Sequence, residues 1–231
     1  MSFKNAALAL LLSLGAIQAN ASVLTVGTMA NDASYSSDCT FWCVARYQEV
    51  YKASELPSGT IGINQVSFFA SPSNGSSWNG TSTWRMTLST TSKAVGGLSN
   101  SFDANVGADA KVFDTETFSG AQGFGSLISF NGQFNYDASM GNLLVDIVRI
   151  SGSAQGVGVE GNFYNGGVFD RAYSFGSTVT ADGYNERYAN RTQFQYGAPV
   201  AARAVPEPAS ITLLALGLAG LVGSRRKSKR A

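Results

Sequence analysis

Two cysteines, a scatter of carboxylates and a set of aromatic rings are the side chains through which this chain could do chemistry. Cys39 and Cys43 flank Thr40-Phe41-Trp42. A redox-active pair normally has a two-residue spacer and a cationic or helix N-terminal setting. Here three residues intervene and Asp38 adjoins the pair. In an oxidising compartment the two sulfurs are expected to form a local disulfide. So short a loop removes little chain entropy, and the bond is expected to stabilise by roughly 1–3 kcal/mol.

The carboxylates Asp103, Asp109, Asp114, Glu116, Asp137, Asp146, Asp170, Asp182 and Glu186 are spread along the chain. Two of them could carry out glycoside hydrolysis, and sandwich folds host such enzymes. No pairing on one strand face rises above chance. Asp114-Thr115-Glu116 would put two carboxylates on one side of a strand, which a solvated edge explains. Loop Asp and Asn oxygens suit calcium, but no Asp-x-Asp-x-Asp loop is present. Trp42, Trp78 and Trp84, with nine tyrosines, could form a sugar-stacking platform. Trp84 alternates with Met86 and Leu88 and reads as core, whereas Trp78 lies in a Gly/Asn/Ser stretch and is the ring expected to be exposed.

Composition removes other classes. The 231 residues contain no histidine, so an imidazole base, nucleophile or metal ligand is excluded, and a serine hydrolase lacks its usual partner base. Two cysteines are too few for a four-thiolate zinc site. Charged residues make up 13%, about half the globular norm of roughly 25%. Ten of the sixteen basic and fourteen of the fifteen acidic residues lie within 22–205, leaving that section at −4. An acidic body argues against nucleic acid as a partner. No cofactor, no metal and no catalytic residue is expected.

Both ends read as processing segments. Residues 1–21 hold Lys4, an apolar run from Ala6 to Ile17, and Ala19-Asn20-Ala21, the ordered parts of a secretory signal peptide. The run is about 18 Å long as a helix against roughly 30 Å of hydrocarbon, a poor permanent anchor. Cleavage by signal peptidase after Ala21 would leave Ser22 first. Residues 206–231 begin Pro206-Glu207-Pro208, continue uncharged from Ala209 to Gly223, and finish with Arg225, Arg226, Lys227, Ser228, Lys229 and Arg230. The uncharged stretch is about 22 Å of helix, a marginal span. Basic residues beyond it would hold that end in the cytoplasm. Pro206 and Pro208 keep their neighbours extended, as a membrane protease needs.

These last residues resemble the PEP-CTERM sorting signal of Gram-negative bacteria. Pro206, Glu207 and Pro208 match its motif, Ile211–Val222 its membrane segment, and Arg225, Arg226, Lys227, Lys229 and Arg230 its basic stop. The resemblance implies recognition by an exosortase-type membrane protease, a producer of exopolysaccharide or biofilm matrix, and delivery to the cell surface or release.

Residues 22–205 are dominated by a period of two. Ile61 and Ile63 alternate with Gly62 and Asn64, and Val66 with Phe68 resumes after an irregularity. Trp84, Met86 and Leu88 alternate with Arg85, Thr87 and Ser89. Phe134 with Tyr136, Val157 to Phe163, Tyr173 with Phe175, and Phe194 with Tyr196 repeat the pattern, and Leu143–Ile150 reads as a central strand. Clusters at Ser71–Gly80, Gly96–Asn100, Gly120–Ser126, Ser151–Gly156 and Asn165–Gly167 read as connections. A turn around Cys39–Tyr51 is the one helical exception. The expected fold is all-β, an antiparallel two-sheet β-sandwich or jelly roll, flanked by an N-terminal signal helix and a C-terminal hydrophobic helix.

The body also resembles a β-rich domain of many PEP-CTERM proteins. The carrying segments are Arg46-Tyr47-Gln48-Glu49-Val50-Tyr51, Ser89-Thr90-Thr91-Ser92, Asn105-Val106-Gly107-Ala108-Asp109 and Gly141-Asn142-Leu143-Leu144-Val145-Asp146. That resemblance implies exported cargo and transfers no functional residue. The sequence therefore leads to a non-enzymatic, secreted protein of the cell surface or extracellular matrix, transiently membrane-anchored, with exopolysaccharide as a candidate partner. The alternative is a carbohydrate-active enzyme or carbohydrate-binding module on a β-sandwich.

Overall fold

The computed structural model describes residues 21–27, 37–38, 40–152, 155–163 and 167–200. In chain order these form β1 (Ser22–Val26), β2 (Ser37–Asp38), a single helical turn α1 (Thr40–Cys43), β3 (Arg46–Tyr51), β4 (Thr60–Thr91), β5 (Lys111–Ala121), β6 (Leu127–Asp137), β7 (Asn142–Gly152), β8 (Val157–Phe163), β9 (Phe169–Ser174), β10 (Gly183–Tyr184), β11 (Tyr188–Asn190) and β12 (Thr192–Gly197). Two antiparallel sheets result. The first runs β1-β12-β4-β6, and the second β5-β4-β7-β3-β9-β10.

β4 belongs to both sheets. Its first part, Thr60–Phe69, lies between β12 and β6, and its last part, Ser82–Thr91, between β5 and β7. Between them Ala70, Ser71 and Ser76 pair with β8, with breaks in register at Ser71/Ser76 and Trp78/Thr81. Such irregularities let one strand bend from one sheet into the next. The Gly/Asn/Ser stretch 71–80, expected as a loop, is thus the corner of a continuous strand. The irregularity expected between Ile63 and Val66 is present as a register shift between Ile63 and Gln65 against β6. Within Cys39–Tyr51, where a helical turn was expected, α1 ends at Cys43 and Arg46–Tyr51 is a strand; short 3-10 turns lie at Ala53–Glu55 and Asp103–Asn105.

Most side chains predicted to alternate inward do so, but Phe175, paired with Tyr173 in the sequence pattern, lies past the end of β9 and is exposed. Ile61, Ile63, Val66, Phe68, Trp84, Met86, Leu88, Phe134, Tyr136 and Phe194 are buried in the core between the sheets. The single turn α1 inserts Phe41, whose ring meets Trp84 at 5.0 Å, Phe68 at 5.6 Å and Trp78 at 5.9 Å, all edge-on. Edge-on aromatic pairs add about 0.5–1.5 kcal/mol each beyond area burial. β5 also meets β6 closely. A Cβ at Gly132 would collide with the Phe113 carbonyl, and Asp114 accepts a hydrogen bond from the Asn131 N–H at 2.7 Å.

A second, smaller core covers the outer face of the second sheet. Val50, Leu144 and Ala172 project there from β3, β7 and β9 and pack against Leu98 and Phe102 of the β4–β5 connection. β3 is consequently buried on both faces along its whole length. β7 is a central strand, as expected.

Among the described residues no helix is long and apolar enough to cross a membrane. The two flanking helices expected from sequence fall on residues outside those described.

Candidate functional site

The outer face of the second sheet carries one connected cluster of polar side chains, centred on Arg46, Gln48, Asn105 and Asp146. Arg46 starts β3 and donates from Nε to Asp146 Oδ1 at 3.0 Å and from Nη2 to Asp146 Oδ2 at 2.6 Å. Its Nη1 donates to Asp103 Oδ1 at 2.9 Å and to the Thr178 carbonyl at 2.7 Å. Phe102 lies 5.0 Å beneath the guanidinium. Burial alone would pull the Arg46 pKa down, but the hydrogen bonds and charges of Asp146 and Asp103 outweigh it and hold the group above the ordinary arginine value. The fork geometry suits Arg and no other cation.

Two residues further along the same face, Gln48 donates to the Phe102 carbonyl at 3.0 Å and accepts from Asn105 Nδ2 at 2.9 Å. Asn105 also accepts from the Ser99 N–H and donates to the Ser99 carbonyl. Thr91 donates to the Asn105 carbonyl, and Ser89 accepts from the Gly107 N–H. Asp109 accepts from the Thr90 N–H at 2.7 Å. Gly107 lies so close to the Thr90 carbonyl that any Cβ would collide with it. The four segments that carry the body's resemblance therefore meet in one network, which clamps the β4–β5 connection onto β3, β4 and β7. Their shared chemistry is positioning.

Where that connection ends over the sheet, a cleft of about 590 Å³ opens. Its floor is Arg46, Arg85, Thr87, Asp146 and Val148, and its wall is Asp103, Val106, Thr178 and Val179. The volume falls within the range of about 300–1,000 Å³ typical of ligand sites. Asp146 is buried, whereas the Asp103 side chain is 80% exposed. Arg85 is exposed, and its side chain makes no hydrogen bond or ion pair among the described residues. Sequence reasoning missed Arg46 and Arg85; the signal for Arg85 was its outward place in the Trp84/Met86/Leu88 alternation.

The other expected carboxylates are dispersed. Asp170 is buried and accepts hydrogen bonds from the N–H groups of Arg171 and Arg187. Burial pushes its pKa up, against the backbone N–H groups of Arg171, Arg187, Gly96 and Glu186, which pull it down. The turn around it places Asn185 and Arg187 at positive φ, 56° and 55°. Asn185 pays for its strain with paired hydrogen bonds to the Leu98 N–H and carbonyl. Asp182 binds the Phe175 N–H and the Ser174 hydroxyl, which hold its carboxyl below the usual range. Glu186 pairs with Arg171 at 2.8 Å. Asp109 and Asp137 border a smaller hollow with Met140. Asp114 and Glu116 lie on β5, which pairs with β4 alone among the described residues; the strand is an edge, but both side chains are half-buried rather than solvated, and Asp114 is held by the Asn131 N–H. No group of three or more potential metal ligands occurs among the described residues.

Trp78 is not exposed. It is buried, stacked on Phe118 at 5.1 Å, because the corner of β4 turns it into the core. Trp42, on the outward side of α1, is the exposed tryptophan. Cys43 is disulfide-bonded; its expected partner Cys39 lies outside the described residues. Residues 1–20, the motif Pro206, Glu207 and Pro208, and the basic residues Arg225, Arg226, Lys227, Lys229 and Arg230 also lie outside them.

No curated protein matches the chain. Among solved structures it is similar to a xylan-binding domain from CBM 22, formally an x6b domain, at 12% identity over 82% of this chain and 93% of that one, with a TM-score of 0.25. It is also similar to the C-terminal family 22 carbohydrate binding module of Clostridium thermocellum Xyn10B, at 13% identity over 64% and 85% of the two chains, with a TM-score of 0.24. Superpositions this loose carry no argument about the cleft. The family comparison is specific: residues 204–227 match the model of the PEP-CTERM protein-sorting motif. PEP-CTERM motifs are in general recognised by exosortase, a membrane protease, and imply export with transient membrane anchoring. The chain carries a PEP-CTERM sorting signal directly after its β-rich body.

Proposed function

We propose that the chain is the precursor of a non-enzymatic protein of the cell surface or extracellular matrix. Signal peptidase releases it at Ser22, and exosortase separates the tail near Pro206, Glu207 and Pro208. Its body, residues 22–205, is a jelly-roll sandwich that acts by association within a biofilm or exopolysaccharide matrix. The match at residues 204–227 carries this reading. The engagement of Asp146 by Arg46 supports the non-enzymatic part, because the buried carboxylate of the cleft already serves the scaffold.

Fractionation with an antibody to the body and an epitope tag placed after Arg230 tests the reading. Protein recovered outside the cell is expected to have lost the tag. Glu207→Ala is expected to leave the body exported but retained in the inner membrane. Outer-surface protein that keeps the tag overturns the processing. New reducing ends, on incubating the exported protein with its producer's polysaccharide, overturn the non-enzymatic reading.

A further inference from the structure

The cleft is one end of a longer polar strip. Thr83, Arg85 and Thr87 project from the outer face of β4, opposite the inward Trp84, Met86 and Leu88. In the neighbouring edge strand Thr117 lies opposite Thr83, and Thr115 opposite Arg85. The Thr83 and Thr117 hydroxyls are 2.9 Å apart. The strip thus carries a row of hydroxyls with one cation at its centre. It runs into the cleft, where Thr178 and the exposed carboxylate of Asp103 continue it. Arg46 is already committed to Asp146, Asp103 and the Thr178 carbonyl, so it holds the wall rigid. Arg85 is left to meet a ligand.

We propose that this strip binds a carboxylate-bearing glycan, with the Arg85 guanidinium gripping a uronate carboxylate. The threonine hydroxyls and Asp103 meet the hydroxyls of adjoining sugar units. A guanidinium recognises a carboxylate through two parallel N–H···O bonds. A row of hydroxyls gives such a ligand further donors and acceptors, and the poly-L-glutamate probe below distinguishes the glycan from an acidic peptide. Thr83, Thr115 and Thr117 extend the contact residues along the strands beyond the cleft lining, which suits a chain rather than a single small molecule. The choice of a glycan rests on the matrix reading above; the position of the site does not.

The test uses the exported protein purified from its producer and titration calorimetry with three probes: hexameric oligogalacturonate, cellohexaose, and poly-L-glutamate of matched length. Oligogalacturonate is expected to bind, more weakly at high salt, with the other two bound less well. Arg85→Gln is expected to weaken oligogalacturonate binding roughly tenfold to a hundredfold, the scale of a lost charged hydrogen-bonding group. Arg85→Lys is expected to fall between, because it keeps the charge and loses the fork. Unchanged unfolding midpoints would show both variants folded. No binding of oligogalacturonate, equal binding of either other probe, or unaltered affinity in Arg85→Gln overturns the proposal. Failure of the export reading appears separately, as tagged protein at the surface, before any titration.

Discussion

Ser22 and Tyr196 stand opposite each other in the β1–β12 ladder. The first and last strands of the body are therefore partners, and its chain enters and leaves the first sheet side by side. Among the described residues β1 pairs with β12 alone, so the earliest strand to be exported must wait for the last.

Processing should respect that arrangement. Cleavage after Ala21 leaves β1 whole, and N-terminal sequencing of exported protein is expected to begin at Ser22. A start at Met1 would falsify this. A variant lacking Ser22–Val26 is expected to lose about 1.5–3 kcal/mol from buried Val26 alone, read as a lower unfolding midpoint.

Arg46 and Asp146 form a buried pair a hundred residues apart. Removing one partner strands the other charge, so Arg46→Met and Asp146→Leu should each destabilise by about 3–5 kcal/mol. The double variant should lose less than the sum, a coupling that urea denaturation of all four proteins measures. Asp103→Ala, at an exposed position, should cost less than about 1 kcal/mol. Additive losses from Arg46 and Asp146 would show that the pair does not act as one.

Asp170 should make stability fall as pH rises. Its folded pKa is raised, mainly by burial, above the ordinary value of 3.8. Between the unfolded and folded values the native state binds the extra proton. The contribution is therefore fully present below the unfolded value and is lost as pH climbs through the folded one. Asp170→Asn removes this slope while adding a constant offset for the altered acceptor. Chemical denaturation across the window above pH 3.8 should show wild type losing stability relative to the variant. Parallel profiles would rule the linkage out.

Phe41 should matter more than a one-turn helix suggests. Its ring is fully buried among Trp84, Phe68 and Trp78. Phe41→Ala is expected to cost about 3–5 kcal/mol, whereas Trp42→Ala, at an exposed position, should change stability by less than about 0.5 kcal/mol.

The disulfide is expected to join Cys39 to Cys43. Non-reducing mass spectrometry of exported protein should recover the linked peptide, and two alkylatable thiols in native material would refute the pairing. Reduction should lower stability by roughly 1–3 kcal/mol.

Local pattern determined much of this protein. A period of two marks the strands with one strongly apolar face, so Trp84, Met86, Leu88, Phe134, Tyr136 and Phe194 could be assigned to the core from their spacing, while the weakly apolar β1 and β5 gave no such signal. The sorting signal is equally local, since motif, apolar run and basic end are contiguous. Tertiary structure alone decided the rest. β3 escaped recognition because a strand covered on both faces needs no alternation, and its outward Arg46 and Gln48 are buried by contacts 57 and 54 residues further along the chain. Trp78 was misplaced because Gly, Asn and Ser around it permit a loop and a bent strand equally. Only pairing with β5 and β8 turns that stretch into the corner between two sheets. The cleft follows from the same cause. Arg85 and Asp103 share no local pattern, and they come to line one cleft because the clamp on Gln48 and Arg46 fixes where the β4–β5 connection lies over the sheet.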